Sequence, residues 1–240
     1  MFFKSAYNEG NIRTWQVIWC GVTALILAGG KSSRFGSDKS LLILNQKLIV
    51  QHLVECCSSF ADEVLIVSNQ DAKFGLPGIR ELHDIYPDMG PLGGIHAGLC
   101  AAKNDYIFVS ACDMPFFDEF LAKCMLSQLD EYQAVLPYYQ NKYEPLFSAL
   151  RRDKALSVTE YLLQHNKKRM LLLFEQLETY CWECTKEEHE NFYNINYRED
   201  YFKLLMNRNT YNNYKVKNEG EYYETRKNAY NKNYCISDFQ

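Results

Sequence analysis

The stretch VTALILAGGKSSRFGSDKS, Val22 to Ser40, decides the fold. VTALILA, Val22 to Ala28, is a short, mostly apolar run that stops at Gly29-Gly30, the pattern of a buried parallel strand entering a tight loop. Leu48 to Phe60 then carries Leu48, Val50, Leu53, Val54 and Cys57 at helical spacing, and VLIVS, Val64 to Ser68, reads as a second buried strand. Strand, helix and strand in that order predict a β-α-β crossover.

The alternation continues outward. After a Gly/Pro-punctuated stretch from Gly75 to Gly94, Ile95 to Ala102 predicts a helix, and YIFVSA, Tyr106 to Ala111, predicts a third strong strand ending at Cys112-Asp113. Phe117 to Leu129 has helical spacing, Ala134 to Tyr139 is a fourth strand, and Leu146 to Leu177 reads as mostly helical with a turn at His165 to Lys168. Tyr180 to Cys184 is a further strand candidate and Glu199 to Met206 a short helix. The expectation is an α/β fold of three layers, Rossmann-like, with a mostly parallel central sheet. Residues 1–21 read as an irregular leader, 22–206 as the globular domain, and 207–240 as an Asn/Tyr-rich tail whose composition adds little core and is compatible with disorder.

The whole chain limits the function classes. Its 240 residues, 47% hydrophobic, allow one well-packed domain with appendages. A net charge of -4, from 26 basic and 30 acidic residues, leaves no positive excess to hold a nucleic-acid backbone, so a nucleotide monomer fits better than a polymer. The nine cysteines are odd in number and several lie in apolar segments, as in a reduced cytoplasmic protein. No stretch reads as a membrane span or signal peptide.

Three segments carry chemistry. In LAGGKSSRFGSDKS, Gly29 and Gly30 let backbone N–H groups approach a phosphate, Arg34 offers a planar fork for phosphate oxygens, and Lys39 offers a compact positive charge. Neither the dinucleotide spacing G-x-G-x-x-G nor the P-loop ending G-K-[ST] is present. In CDMPF, Cys112 to Phe116, Asp113 leaves the end of a strand where open α/β sheets bind ligands, and its carboxylate is the hard oxygen ligand that magnesium prefers. The competing reading of Asp113 is a cap for the following helix. In HDIYPDMGPLGGI, His83 to Ile95, the glycines permit close approach to a base or sugar, and Asp84 can accept hydrogen bonds from either; an ordinary glycine-rich connection is the alternative.

Together, LAGG with S-x-R-x-G and DK, then GPLGG, then CDMP, resemble the molybdenum cofactor guanylyltransferases of the MobA type, within the Rossmann-like nucleotidyltransferases, over about Val22 to Leu205. The resemblance implies an enzyme that transfers GMP from GTP to molybdopterin-bound molybdenum cofactor with Mg2+. It places Leu27, Ala28 and Gly29 in the GTP-binding loop, Arg34 at the phosphates and Lys39 on the nucleotide. It makes Asn69 and Asp84 further nucleotide contacts, and Asp113 a ligand of both nucleotide and magnesium. EPLF, Glu144 to Phe147, resembles the segment shaping the acceptor side, and NIN, Asn194 to Asn196, the late asparagine motif. The chain departs from the common form at Phe35, where methionine is usual, and at Tyr197-Arg198, where Thr-Pro is usual. Molybdoenzymes or cofactor-insertion proteins are the partners so implied.

Rival readings are a cytidylyltransferase on the same acceptor, a sugar-phosphate nucleotidyltransferase, or a non-catalytic nucleotide sensor. Cys181-Trp182-Glu183-Cys184 with His189 nearby has half of a zinc signature and reads more simply as two thiols in a strand. His83 and His96 flank the third segment and are minor candidates for ligand contact.

Overall fold

The computed structural model describes residues 21–29, 38–70, 72–86 and 88–206, together with the backbone of 3–9 and 12–18. The segment expected to be an irregular leader holds two strands, β1 (Phe3–Glu9) and β2 (Ile12–Ile18), paired antiparallel. The domain opens with β3 (Val22–Leu27), a 3-10 turn (Lys39–Leu41), the short ribbon β4 (Ile43–Leu44) and β5 (Lys47–Leu48), α1 (Ile49–Ser58) and β6 (Glu63–Ser68). There follow β7 (Arg80–His83), α2 (Pro91–Ala101), β8 (Tyr106–Ala111), α3 (Glu119–Ser127), β9 (Ala134–Tyr139), β10 (Lys142–Tyr143) and β11 (Phe147–Arg151). The described chain closes with α4 (Arg152–Gln164), α5 (Leu171–Glu175), β12 (Thr179–Glu183), α6 (Lys186–Glu190) and α7 (Arg198–Met206). The Asn/Tyr-rich tail, 207–240, lies outside the described residues.

An eight-stranded sheet in the order β10-β9-β11-β8-β3-β6-β7, with β12 added beside β9, forms the middle layer. β3, β6, β7 and β8 run parallel to one another, and β12 runs parallel to β9, while β11 is antiparallel to β8 and β9 and β10 is antiparallel to β9. The expected α/β architecture with a mostly parallel sheet is therefore present. Strand alternation sends Ala24, Ile26, Ile66 and Phe108 into the layer with α1 and α3, and Leu25, Leu65, Ile107 and Val109 into the layer with α2, α4 and α5.

Three local readings need correction. Phe147–Arg151 is an interior antiparallel strand, not the start of a helical region, because Phe147, Ala149 and Leu150 are needed on both faces of the sheet between β8 and β9. Arg80–His83, inside the stretch read as loop, is the edge strand β7, too short and too polar to give an apolar run. The second helix begins at Pro91, four positions before Ile95, with proline in the first turn, where its missing N–H costs nothing.

Phe108 lies at the centre of the first layer. Its ring meets Phe60 at 5.9 Å, Phe117 at 5.7 Å and Phe147 at 4.9 Å, each close to perpendicular. Edge-to-face packing of these rings adds to the transfer energy of the side chains. Phe108→Ala is expected to destabilise the domain by about 3–5 kcal/mol through lost burial and the cavity left behind. The midpoint of urea unfolding measures this.

Candidate functional site

Because β3, β6, β7 and β8 are parallel, the loops that leave their carboxyl ends gather at one edge of the sheet. The chain steps from β3 to β6 and β7 on one side and returns to β8 on the other, so the order reverses between β3 and β8. In open α/β sheets such a switch point is where ligands bind. A cavity of about 730 Å³ opens there, lined by Leu27, Ala28, Gly29, Asp38, Lys39, Ser40, Val67, Asn69, His83, Asp84, Asp88, Gly90, Pro91, Gly94, Ala111, Cys112, Asp113 and Leu146. Backbone bonds hold its floor together: Ala28 N donates to Val67 O at 2.7 Å and Cys112 N to Leu27 O at 3.0 Å.

Of the residues singled out in the sequence, Leu27, Ala28, Gly29, Lys39, Asn69, Asp84 and Asp113 all line this cavity. Gly30 and Arg34 lie outside the described residues. The alternative reading of Asp113 as a helix cap does not hold, since Asp118 caps α3 by accepting from Phe120 N and Leu121 N. Asp113 instead turns toward Lys39, whose Nζ stands 3.4 Å from Oδ2 and donates to Asn196 Oδ1 at 3.2 Å. The NIN segment is tied to the same place, with Ile195 N donating to Asp113 O at 3.1 Å. Burial pushes the Asp113 carboxyl above its ordinary range, against the opposing pull of the Lys39 ammonium.

Two glycines are fixed by close approach. A Cβ on Gly29 would stand 2.9 Å from Asn69 Oδ1, and one on Gly93 would stand 2.6 Å from Asp84 Oδ1 and 2.8 Å from Tyr86 O. Gly93 in α2 thus makes room for Asp84 at the end of β7, where Oδ1 also accepts from Tyr86 N at 2.9 Å. Burial raises the pKa of Asp84 despite that bond. His83 reaches the cavity, whereas His96 faces α4, with Nε2 3.7 Å from Glu160 and its ring 5.0 Å from that of Tyr86.

The altered late motif has a structural counterpart. Tyr197 precedes α7, and Asp200, in the helix's first turn, accepts from Asn196 N at 3.0 Å and Tyr197 N at 2.8 Å. This carboxylate reaching back to the helix start does the work of a cap and keeps Asn196 beside Lys39. The sequence reading missed Asp38 and Ser40 as cavity residues. Their sign was already present: an acidic residue two positions before a serine, able to cap the 3-10 turn, as Asp38 Oδ1 does by accepting from Ser40 N at 3.1 Å and Oγ at 2.6 Å. Cys181 and Cys184 are buried and do not line the cavity, and no group of three or more His, Cys, Asp or Glu side chains that could hold a metal occurs among the described residues. Nor, among the described residues, is any helix long and apolar enough to cross a membrane.

A sheet edge that brings Gly29, Lys39 and Asp113 around one cavity at the switch point is the arrangement of a ligand-binding α/β domain. The family model for the MobA-like NTP transferase domain matches residues 24–179. The chain is 35% identical over 195 residues to a probable molybdenum cofactor guanylyltransferase of Carboxydothermus hydrogenoformans, covering 77% of this chain and 95% of that one. It is 31% identical over 192 residues to the molybdenum cofactor guanylyltransferase of Syntrophotalea carbinolica, covering 75% and 89%. The crystal structure of molybdopterin-guanine dinucleotide biosynthesis protein A from Archaeoglobus fulgidus superposes with a TM-score of 0.64 at 21% identity, covering 75% and 95%, and shows the same fold. The chain belongs to the MobA-like NTP transferase family, and it is a nucleotidyltransferase with the Rossmann-like fold of that family.

Because the folded pKa of Asp113 is raised, its contribution to stability is fully present below the unfolded pKa and is lost as pH rises through the folded value. Ionisation of the buried carboxylate as pH rises therefore costs stability. Asp113→Asn is expected to melt at the same or a higher temperature than the wild type at pH 7 while losing nucleotidyl transfer. Differential scanning calorimetry alongside a turnover assay checks both halves.

Proposed function

We propose that the protein transfers GMP from GTP to molybdopterin-bound molybdenum cofactor, forming the guanine dinucleotide cofactor and releasing pyrophosphate. The observation that carries this reading is the convergence of Gly29, Lys39, Asn69, Asp84 and Asp113 on one cavity in a chain whose relatives are named as molybdenum cofactor guanylyltransferases.

The polyphosphate would lie along Ala28 and Gly29, with Lys39 against its oxygens; the family resemblance assigns Arg34 to the phosphates as well. Asn69 and Asp84, which line the cavity on the loops after β6 and β7, would bind the nucleoside, the Asp84 carboxylate accepting from base edge or ribose. A carboxylate facing a site of phosphate chemistry fits Mg2+, which is commonly held by one or two carboxylates with substrate phosphates and water completing its shell. Asp113 is the residue that would hold it; such an ion supplies charge neutralisation on phosphate oxygens.

In the transfer itself, an oxygen of the acceptor phosphate forms a bond to the α-phosphorus as the bond to the β-phosphate oxygen breaks, and the electron pair leaves with pyrophosphate. Lys39 would offset the charge developing on those oxygens, and the cavity walls would hold donor and acceptor in line. The acceptor phosphate is already anionic, so no strong protein base is required. The acceptor side is assigned to Leu146 and the EPLF segment, where burial raises the pKa of the Glu144 carboxyl. Delivery of the product to molybdoenzymes or insertion proteins follows from the same reading, with cytoplasm as the compartment.

Purified protein supplied with magnesium, isolated molybdopterin-bound molybdenum cofactor and either GTP or CTP is expected to give pyrophosphate and a guanine dinucleotide product with GTP. A CTP-selective product would change the base assignment, and a sugar-nucleotide product without reaction on molybdenum cofactor would change the acceptor. Lys39→Ala is expected to lower kcat/KM for GTP by roughly 10²-fold, the scale of losing one donor to a charged transition state.

A further inference from the structure

Lys73 belongs to none of the motifs that mark the cavity. Its side chain is nevertheless only 8% exposed, and its Nζ stands 2.5 Å from Asp38 Oδ2. A lysine amine enclosed to this degree needs a partner, and the partner here sits immediately before Lys39. The other oxygen of the same carboxylate, Oδ1, holds Ser40 N and Oγ on the far side of Lys39. Lys39 is thus bracketed by groups bound to one carboxylate that Lys73 in turn fixes.

The segment that presents Lys73 is built for it. Ala72 has φ +47° and Gly75 φ +58°, and between them the Glu81 carboxylate on β7 accepts from Phe74 N at 3.1 Å and Gly75 N at 2.8 Å. A non-glycine residue in the left-handed region persists where its surroundings over-determine it. The Lys73 Nζ lies over the Phe74 ring, 5.2 Å from its centroid, and that ring packs on the core, so the ammonium sits against a fixed aromatic face.

The ion pair joins two walls of the cavity: the connection after β6, which carries Asn69, and the loop after β3, which carries Lys39. Hydrogen bonds to Lys73 and Ser40 hold Asp38 ionised with its pKa below the ordinary carboxylate value, although burial opposes this. Asp38 remains 38% exposed, so loss of Lys73 leaves a carboxylate that water can reach rather than a stranded buried charge.

We propose that Lys73 is a positioning residue for nucleotidyl transfer: through Asp38 it fixes the 3-10 turn so that the Lys39 ammonium is held at Asp113 for the polyphosphate. The inference rests on the nucleotide-binding reading of the cavity, and its test includes a readout that needs no nucleotide. The full chain is compared with its K73M, K73R, D38N and K73M/D38N variants, with thermal melting as the check of folding.

In the absence of nucleotide, acylation of Lys39 by acetic anhydride is followed by mass spectrometry. K73M is expected to speed it by roughly fivefold, and K73R to restore it to within about twofold of wild type. In turnover with Mg·GTP, K73M is expected to lower kcat/KM by about tenfold with little change in melting temperature, and D38N on top of K73M to add little, because the two act as one unit. An unchanged Lys39 labelling rate in folded K73M overturns the proposal, as does a double variant whose loss is the product of the single losses, or a K73R as impaired as K73M. A wild-type chain that makes no product from GTP defeats the nucleotide reading instead, and the labelling ratio still decides the role of Lys73.

Discussion

The parallel pairing of β3 with β8, which sets Leu27 opposite Ala111, is the constraint on which the rest of the site depends. Two parallel strands side by side end at the same edge, and the bond from Cys112 N to Leu27 O continues their pairing one step past β8. The chain beyond β3 and the chain beyond β8 therefore start from a common point, which is how Lys39 and Asp113 come within 3.4 Å. The pairing is held by alternate residues committed to opposite layers, so a slip of one position would send every apolar side chain to the wrong face.

From that start the site is assembled by polar contacts at the sheet edge. Lys39 lies between the Asp113 and Asn196 side chains, Asp200 holds the Asn196 and Tyr197 amides, and Asp38 holds the turn beneath Lys39. Asp113 is buried enough for its pKa to rise, a cost the fold accepts at a position where a ligand's positive charge would favour the ionised form. The helices contribute by closeness. Glycines at 93 and 94 bring α2 against Asp84 and Leu27 without intervening side chains, which sets the width of the cavity on that side.

Much of this was legible in the sequence because buried parallel strands are continuous apolar runs that end abruptly, and β3, β6 and β8 each show one. The residues of LAGG, DK and CDMP could be assigned to one edge once those strands were placed. β11 was hidden because it passes into α4 between Arg151 and Arg152 with no glycine or proline to mark the change, and Phe147 and Leu150 have a spacing that also suits a helix. β7 was hidden by its polarity, as an edge strand with half-exposed residues. The start of α2 was masked by glycines and a proline that signal a loop to a local reading, whereas the helix is buried on all sides and shows little amphipathic pattern. The pairs Lys39 with Asn196, 157 positions apart, and Lys73 with Asp38 are tertiary contacts that no local pattern specifies.

On the proposed function, a divalent ion and a nucleotide come together at Asp113, beside Lys39, at the switch point of the sheet. Paramagnetic broadening of amide resonances by Mn2+, used in place of Mg2+ at substoichiometric levels with and without GTP, tests it most directly. Broadening centred on Gly29, Asp113 and Asn196 that strengthens when GTP is added is the expected result. Broadening centred on Cys181 to His189, or none near Asp113 with GTP present, would contradict it.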